Sequence, residues 1–216
     1  MRRRKIHGMG QGDMKIGLLG DSIRRIGYGR RLGDILGEEF EIWQPDDNGR
    51  FASYTLRMLF DYRTQLSECD IIHWNNGLWD TCALFEDGEP FTPIEVYVDT
   101  MVRIARILLA MTPRVIFATT TPVRPLEASV NRTIDEYNAA LVPRLREMGV
   151  IINELGGAIA EDVERYIRED DKIHLSDEGI ELAAERVAEC IRAVAAGGGA
   201  KRRANSAERG ETGIPV

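Results

Sequence analysis

Strands alternating with helices, an α/β domain on a parallel sheet with helices on both faces, is the architecture this sequence predicts. Two observations carry it. Short apolar runs recur along the 216-residue chain, each too short for a buried helix and suited to a strand covered on both faces. Between them lie segments whose apolar residues recur at helical spacing, and such alternation implies parallel pairing through right-handed crossovers.

In chain order, the first run is Ile16-Gly17-Leu18-Leu19, followed by the stripe Leu32, Ile35, Leu36 and Phe40. Glu41-Ile42-Trp43 reads as the second strand, and Leu56, Leu59 and Phe60 begin the next helix. Ile71-Ile72-His73-Trp74 is the third strand. A long stripe follows it through Ile94, Tyr97, Val98, Met101, Ala105 and Leu108. Thr92-Pro93-Ile94-Glu95 marks the start of that helix, with a cap residue, proline at the first helical position and an acid at the third. Val115-Ile116-Phe117-Ala118 is the fourth strand, Ile134, Tyr137, Leu141, Leu145 and Met148 the next stripe, and Val150-Ile151-Ile152 the fifth strand. Ile159, Val163 and Ile167 suggest a short helix. The last stripe is Ile180, Ala183, Val187, Ile191 and Val194, with Ser176 as its cap and Asp177 and Glu178 in its first turn.

Residues 1–13 read as a flexible leader, 14–196 as one domain and 197–216 as a disordered tail, because the flanks hold nothing apolar enough to offset ordering entropy. Met14 is an alternative start. The composition, 44% hydrophobic and 29% charged, is that of an ordinary globular chain, and the net charge of −7 argues against nucleic acid as a partner. No apolar segment has the length of a membrane span or the form of a secretory signal. The three scattered cysteines suit a reducing compartment, so the expected location is cytoplasmic. Asp46, Asp47 and Asp80 do not form a ligand cluster of defined geometry, and neither metal nor cofactor is expected.

In open α/β sheets ligands bind beyond the carboxyl ends of the strands. Ser22 stands at such an end, in Gly20-Asp21-Ser22, as either a nucleophile or a helix cap. Asp171-Lys172-Ile173-His174 lies in the loop before the last helix. Of the three histidines, His7 falls in the leader, His73 reads as a core residue within a strand, and His174 sits among polar residues. An imidazole can take a serine's proton near neutral pH, and a carboxylate on its other nitrogen fixes the tautomer. A surface histidine beside a helix cap is the alternative reading of His174.

Gly20-Asp21-Ser22 after the first strand and Asp171-x-x-His174 before the last helix resemble the first and last blocks of the GDSL, or SGNH, hydrolase family, over roughly Lys15 to Ile191. The resemblance implies a flavodoxin-like three-layer α/β/α sandwich on a five-stranded parallel sheet. It also implies Ser22 as nucleophile, with Asp171 and His174 completing a triad. Two middle blocks would supply oxyanion donors, a glycine N–H and an asparagine side chain. Gly49, in Asn48-Gly49 after the second strand, matches the first, although Asn-Gly is also a common turn. The second departs from the family's Gly-x-Asn-Asp: Asn75-Asn76-Gly77-Leu78-Trp79-Asp80 puts Trp79 at the asparagine position. Its likeness to an Asn-x-Gly-Leu-His-Asp variant favours Asn75 as donor over Asn76 or Trp79.

The expectation is therefore a serine esterase acting on a small-molecule or carbohydrate ester, of short acyl chain or an O-deacetylase. A lysophospholipase, an acyl-thioesterase and a flavodoxin-like binding domain without turnover are the alternatives. Thr119-Thr120-Thr121-Pro122-Val123-Arg124-Pro125 is expected to line the pocket. Arg124, Arg24 and Arg25 are read as anion-binding or as salt-bridged and solvated residues, and Trp74 and Trp79 as packing residues or a sugar platform.

Overall fold

The computed structural model describes residues 14–124 and 128–208. Five strands, β1 (Met14–Gly20), β2 (Phe40–Trp43), β3 (Ile71–Asn75), β4 (Val115–Ala118) and β5 (Ile151–Asn153), form one sheet of order β2-β1-β3-β4-β5, and every pairing is parallel. The connections are helical. A π-helical turn (Ile23–Gly27), a 3-10 turn (Tyr28–Arg30) and α1 (Leu32–Leu36) follow β1, and α2 (Ala52–Asp61) and α3 (Arg63–Ser67) follow β2. Then come α4 (Leu78–Thr81), α5 (Ile94–Met111), α6 (Ala128–Glu147), α7 (Leu155–Ala160), α8 (Val163–Tyr166) and α9 (Asp177–Glu208).

Alternation along the strands divides the core in two, because successive side chains point to opposite faces. Ile16, Leu18, Ile71 and Ile116 pack under α1, α7 and α9, together with Leu32, Leu155, Ala183, Val187 and Ile191. Leu19, Ile72, Trp74, Val115 and Phe117 pack under α2, α5 and α6, together with Met58, Met101, Leu108 and Leu141. This is the expected three-layer sandwich. Among the described residues no helix is long and apolar enough to cross a membrane.

Several local expectations are corrected. Phe40 opens β2 instead of closing the first helix, since Gly37 at φ +74° ends α1. Phe60 is 72% exposed, and α2 buries Ala52, Thr55, Met58 and Leu59. α5 starts at Ile94 behind Pro93. Thr92 does not cap it, because its side chain bonds the Asp80 carboxylate. The segment read as one short helix is divided into α7 and α8, and Ile167 instead bridges to Leu175. Ser176 does cap α9, accepting the Gly179 N–H at 3.1 Å. α9 is described as far as Glu208. The leader 1–13 and residues 209–216 lie outside the described residues.

Candidate active site

The strand order reverses direction at β1, so a crevice opens between the carboxyl ends of β1 and β3, the place where doubly wound sheets bind ligands. Gly20 and Asn75 are register partners at its rim. Ser22 heads the π-helical turn with helical dihedrals (φ −65°, ψ −26°), and its hydroxyl makes no capping hydrogen bond. The Ile23 N–H instead donates to Asp21 Oδ1 at 2.9 Å, so the adjacent carboxylate takes over the local role of a cap and leaves the serine hydroxyl unengaged.

His174 is presented by a tight loop between α8 and α9. Ile167 and Leu175 form an antiparallel bridge at its neck, the Arg168 N–H donates to the His174 carbonyl at 2.8 Å, and the Ser176 N–H to that of Tyr166. The Arg124 N–H donates to the Lys172 carbonyl, tying the loop to the segment after β4. Asp171 organises the turn from within. Its Oδ1 accepts the Ile173 and His174 N–H groups, both at 2.9 Å, while Oδ2 stands 2.9 Å from His174 Nδ1. Burial pushes the Asp171 carboxyl up. The two N–H groups and the ring outweigh it and hold the carboxyl at about 2, ionised at any pH near neutrality. Ser22 and His174 line one cavity of about 650 Å³ with Ile23, Ile26, Arg30 and Arg168.

Asn75 reaches from β3 to the residue before Ser22. Its Nδ2 donates to Asp21 Oδ1 at 2.7 Å, and its Oδ1 accepts the Tyr28 hydroxyl at 2.9 Å. An amide nitrogen carries two protons, so one remains for another acceptor. Asp21 is 1% exposed. Burial pushes its carboxyl up to about 6 against the Asn75 amide, the Ile23 N–H and the charges of Arg24 and His174.

The other candidates are engaged elsewhere. The Gly49 N–H donates to the Gly20 carbonyl at 2.8 Å. Asn76 is fully buried, and its Nδ2 donates to the Arg50 carbonyl. Trp79 is 40% exposed on α4. Arg24, expected to be solvated or anion-binding, is instead 1% exposed and clamps backbone: its guanidinium donates to the carbonyls of Gly20, Pro45 and Asp47. Arg25 donates to the Asp46 carbonyl, and Arg124 pairs with Glu164. Trp74 packs on Phe117 in the core. Thr119, Thr120 and Pro122 line a separate cavity of about 300 Å³ with Asn138 and Gly156, not the one that holds Ser22. Asp80 accepts the first N–H of α2, from Ala52. Asp47 accepts the Tyr54 hydroxyl.

Two groups important to this arrangement escape sequence reasoning. Tyr28 carries no local signal, and His73 reads only as a core residue. Tyr28 holds Asn75 through a long-range hydrogen bond and His73 stands behind Tyr28, and the single sequence signal is a histidine and an asparagine on the same face of one strand run.

No family model matches the chain, and no curated protein matches it in sequence. Solved structures do. The acetylxylan esterase Axe2 from Geobacillus stearothermophilus superposes with a TM-score of 0.69 at 16% identity, over 85% of this chain and 95% of the esterase. A catalytic mutant of that enzyme gives 0.70 at 15% identity over the same shares. A candidate GDSL-like lipase from Parabacteroides merdae gives 0.67 at 18%, over 82% of this chain and 95% of the other. At these identities the likeness concerns the backbone, and by its backbone the chain has the α/β/α SGNH-hydrolase fold that these proteins share.

Proposed function

We propose that the chain is a serine hydrolase of carboxylic esters, with Ser22 as nucleophile, His174 as general base and acid, and Asp171 as the residue that orients the imidazole. One observation carries the reading: Ser22 and His174, far apart in sequence, line one cavity while Asp171 holds the Nδ1 side of the ring. With Nδ1–H directed at a carboxylate, Nε2 is left as the basic nitrogen. It takes the Ser22 proton as Oγ attacks the acyl carbonyl. The tetrahedral oxyanion is received by the Ser22 N–H and the free N–H of the Asn75 amide. Gly49 joins them only when its N–H is shared with the Gly20 carbonyl that already accepts it. The alcohol leaves with the proton from His174, and water repeats the sequence to release the acid and restore Ser22. No cofactor enters these steps.

A short-acyl ester, including an O-acetyl group on a carbohydrate, is the substrate class proposed. The similarity to acetylxylan esterase supports it. A lysophospholipase or acyl-thioesterase would prefer long acyl chains, and a nitrophenyl ester series of increasing chain length separates the two. Wild type should hydrolyse p-nitrophenyl acetate. Ser22→Ala should lose at least ~10³-fold in kcat, as serine hydrolases do when the nucleophile goes. A fluorophosphonate should label Ser22 alone. Equal rates for wild type and Ser22→Ala would overturn the enzyme reading in favour of a binding domain.

A further inference from the structure

Among the buried titratable groups to which this mechanism gives no part is a histidine of the central sheet. His73 lies in the middle of β3, wholly buried, and strand alternation puts it on the same face of the sheet as Asn75. Tyr28, from the 3-10 turn behind Ser22, spans the two. Its hydroxyl is 2.9 Å from Asn75 Oδ1 and 3.3 Å from His73 Nδ1, with the rings edge to face at 84°. On the far side of the imidazole, Asn153 Nδ2 stands 3.4 Å from His73 Nε2.

The proton positions in this chain are determined from its Asp21 end. A carboxylate only accepts, so the Asn75 group facing Asp21 Oδ1 is Nδ2, and Oδ1 faces Tyr28. Tyr28 gives its one proton to that oxygen and therefore receives one from His73 Nδ1. The imidazole then carries a lone pair on Nε2, which accepts from Asn153. Burial pushes His73 down to about 3, so at neutral pH the ring holds a single proton, as this arrangement requires. Arg24 and Asp21 are the charged groups that bear on the Tyr28 hydroxyl, and burial keeps it protonated.

We propose that His73 and Tyr28 are positioning residues for ester hydrolysis: the one-way chain Asn153, His73, Tyr28, Asn75, Asp21 prevents the Asn75 amide from turning over and keeps its nitrogen on the Ser22 side, where the oxyanion forms. A turned amide would set its carbonyl oxygen against the Asp21 carboxylate and its nitrogen against the Tyr28 hydroxyl. The proposal rests on the ester-hydrolase reading above, and its test has two arms.

The first arm does not depend on activity. Ring-¹⁵N-labelled wild type, with its three histidines assigned by substituting the others in turn, should show His73 neutral with its proton on Nδ1 at neutral pH. An Nε2–H tautomer or a charged ring overturns the chain. The second arm is kinetic. Tyr28→Phe removes only the hydroxyl and should lower kcat on p-nitrophenyl acetate by about 10- to 100-fold with KM little changed. That is less than the ~10²–10³ expected from losing an oxyanion donor outright. In an Asn75→Ala background the same substitution should cost under about twofold, because the group it acts through is gone. Equal losses in both backgrounds would mark Tyr28 as merely structural and overturn the positioning role. If wild type shows no Ser22-dependent turnover, the ester-hydrolase reading fails and the kinetic role with it. The tautomer alone then decides whether the hydrogen-bond chain stands.

Discussion

At Gly20 the absence of a side chain lets β1 and β3 bring the serine and the asparagine together. A Cβ built there would lie 2.0 Å from Asn75 Oδ1 and 3.0 Å from the Asn75 carbonyl oxygen, and the backbone has φ +146°, which L side chains rarely adopt. Neither neighbour can yield cheaply, since Oδ1 accepts the Tyr28 proton and the carbonyl is sheet backbone. Gly20→Ala should therefore destabilise the fold by roughly 2–4 kcal/mol, combining backbone strain with overpacking, as read from urea denaturation. It should also reduce ester hydrolysis beyond what the lost stability explains, because the Asn75 amide must move. Gly33→Ala is the internal control. A Cβ there meets nothing within 4 Å, and the site lies within α1, so stability should hold or rise slightly. If both variants behave alike, the close approach at Gly20 has no energetic weight.

At the scale of an element, the loop between α8 and α9 does two jobs with one carboxylate. Asp171 Oδ1 holds the turn through two backbone N–H groups, and Oδ2 holds the ring. Asp171→Asn separates them. The amide oxygen can still accept the backbone protons, but the amide nitrogen then meets His174 Nδ1 with a donor. The imidazole must present a lone pair there and place its proton on Nε2, where the serine's proton has to go. The expected result is a folded protein with kcat lowered by ~10³–10⁴, the scale seen when a triad histidine is held in the wrong tautomer. Asp171→Ala should lose the turn as well, read as a lower thermal midpoint than Asp171→Asn. Unchanged turnover in Asp171→Asn would remove Asp171 from the proposed triad. This loop was legible in sequence because its parts are local: a carboxylate three positions before a histidine, followed by a capping serine. The strands were legible for the same reason, β4 to the residue, since a run such as Val115-Ile116-Phe117-Ala118 states its own burial. What sequence did not convey depends on register and approach. Nothing local shows that Tyr28 reaches across to His73 and Asn75, that Arg24 turns inward to three carbonyls, or that the Gly49 N–H meets the Gly20 carbonyl. Each follows from β1 lying between β2 and β3, a fact of the assembled sheet.

For the whole molecule, the buried polar groups around the crevice set a pH dependence of stability with opposing parts. Burial raises the Asp21 and Asp80 carboxyls from 3.8 to about 6, and for Asp80 the neighbouring Asp21 adds to it against hydrogen bonds from Thr92 and Ala52. A raised carboxyl means that the folded state binds its proton more tightly than the unfolded chain does. Its contribution is fully present below the unfolded value and is lost as pH rises through about 6. His73 runs the other way. Burial lowers it from 6.5 to about 3, so its contribution is present above 6.5 and is lost as pH falls toward 3. Asp171, held at about 2, likewise contributes above 3.8 and fails only in stronger acid. As pH falls from about 6.5 to about 4, the two acids therefore gain while the histidine loses, so it offsets about one of them and the net dependence is close to that of a single acid. Asp80→Asn takes one acid out of this balance while leaving an oxygen to accept the Ala52 N–H. Relative to wild type, the variant should gain about 2 kcal/mol in unfolding free energy between about pH 4.5 and about pH 7.5, because only wild type must ionise a buried carboxyl over that range. Urea titrations of both proteins at the two pH values give the number directly. A difference that stays constant with pH would mean that Asp80 ionises in the folded protein as readily as in water, and that the crevice floor is far better solvated than its burial indicates.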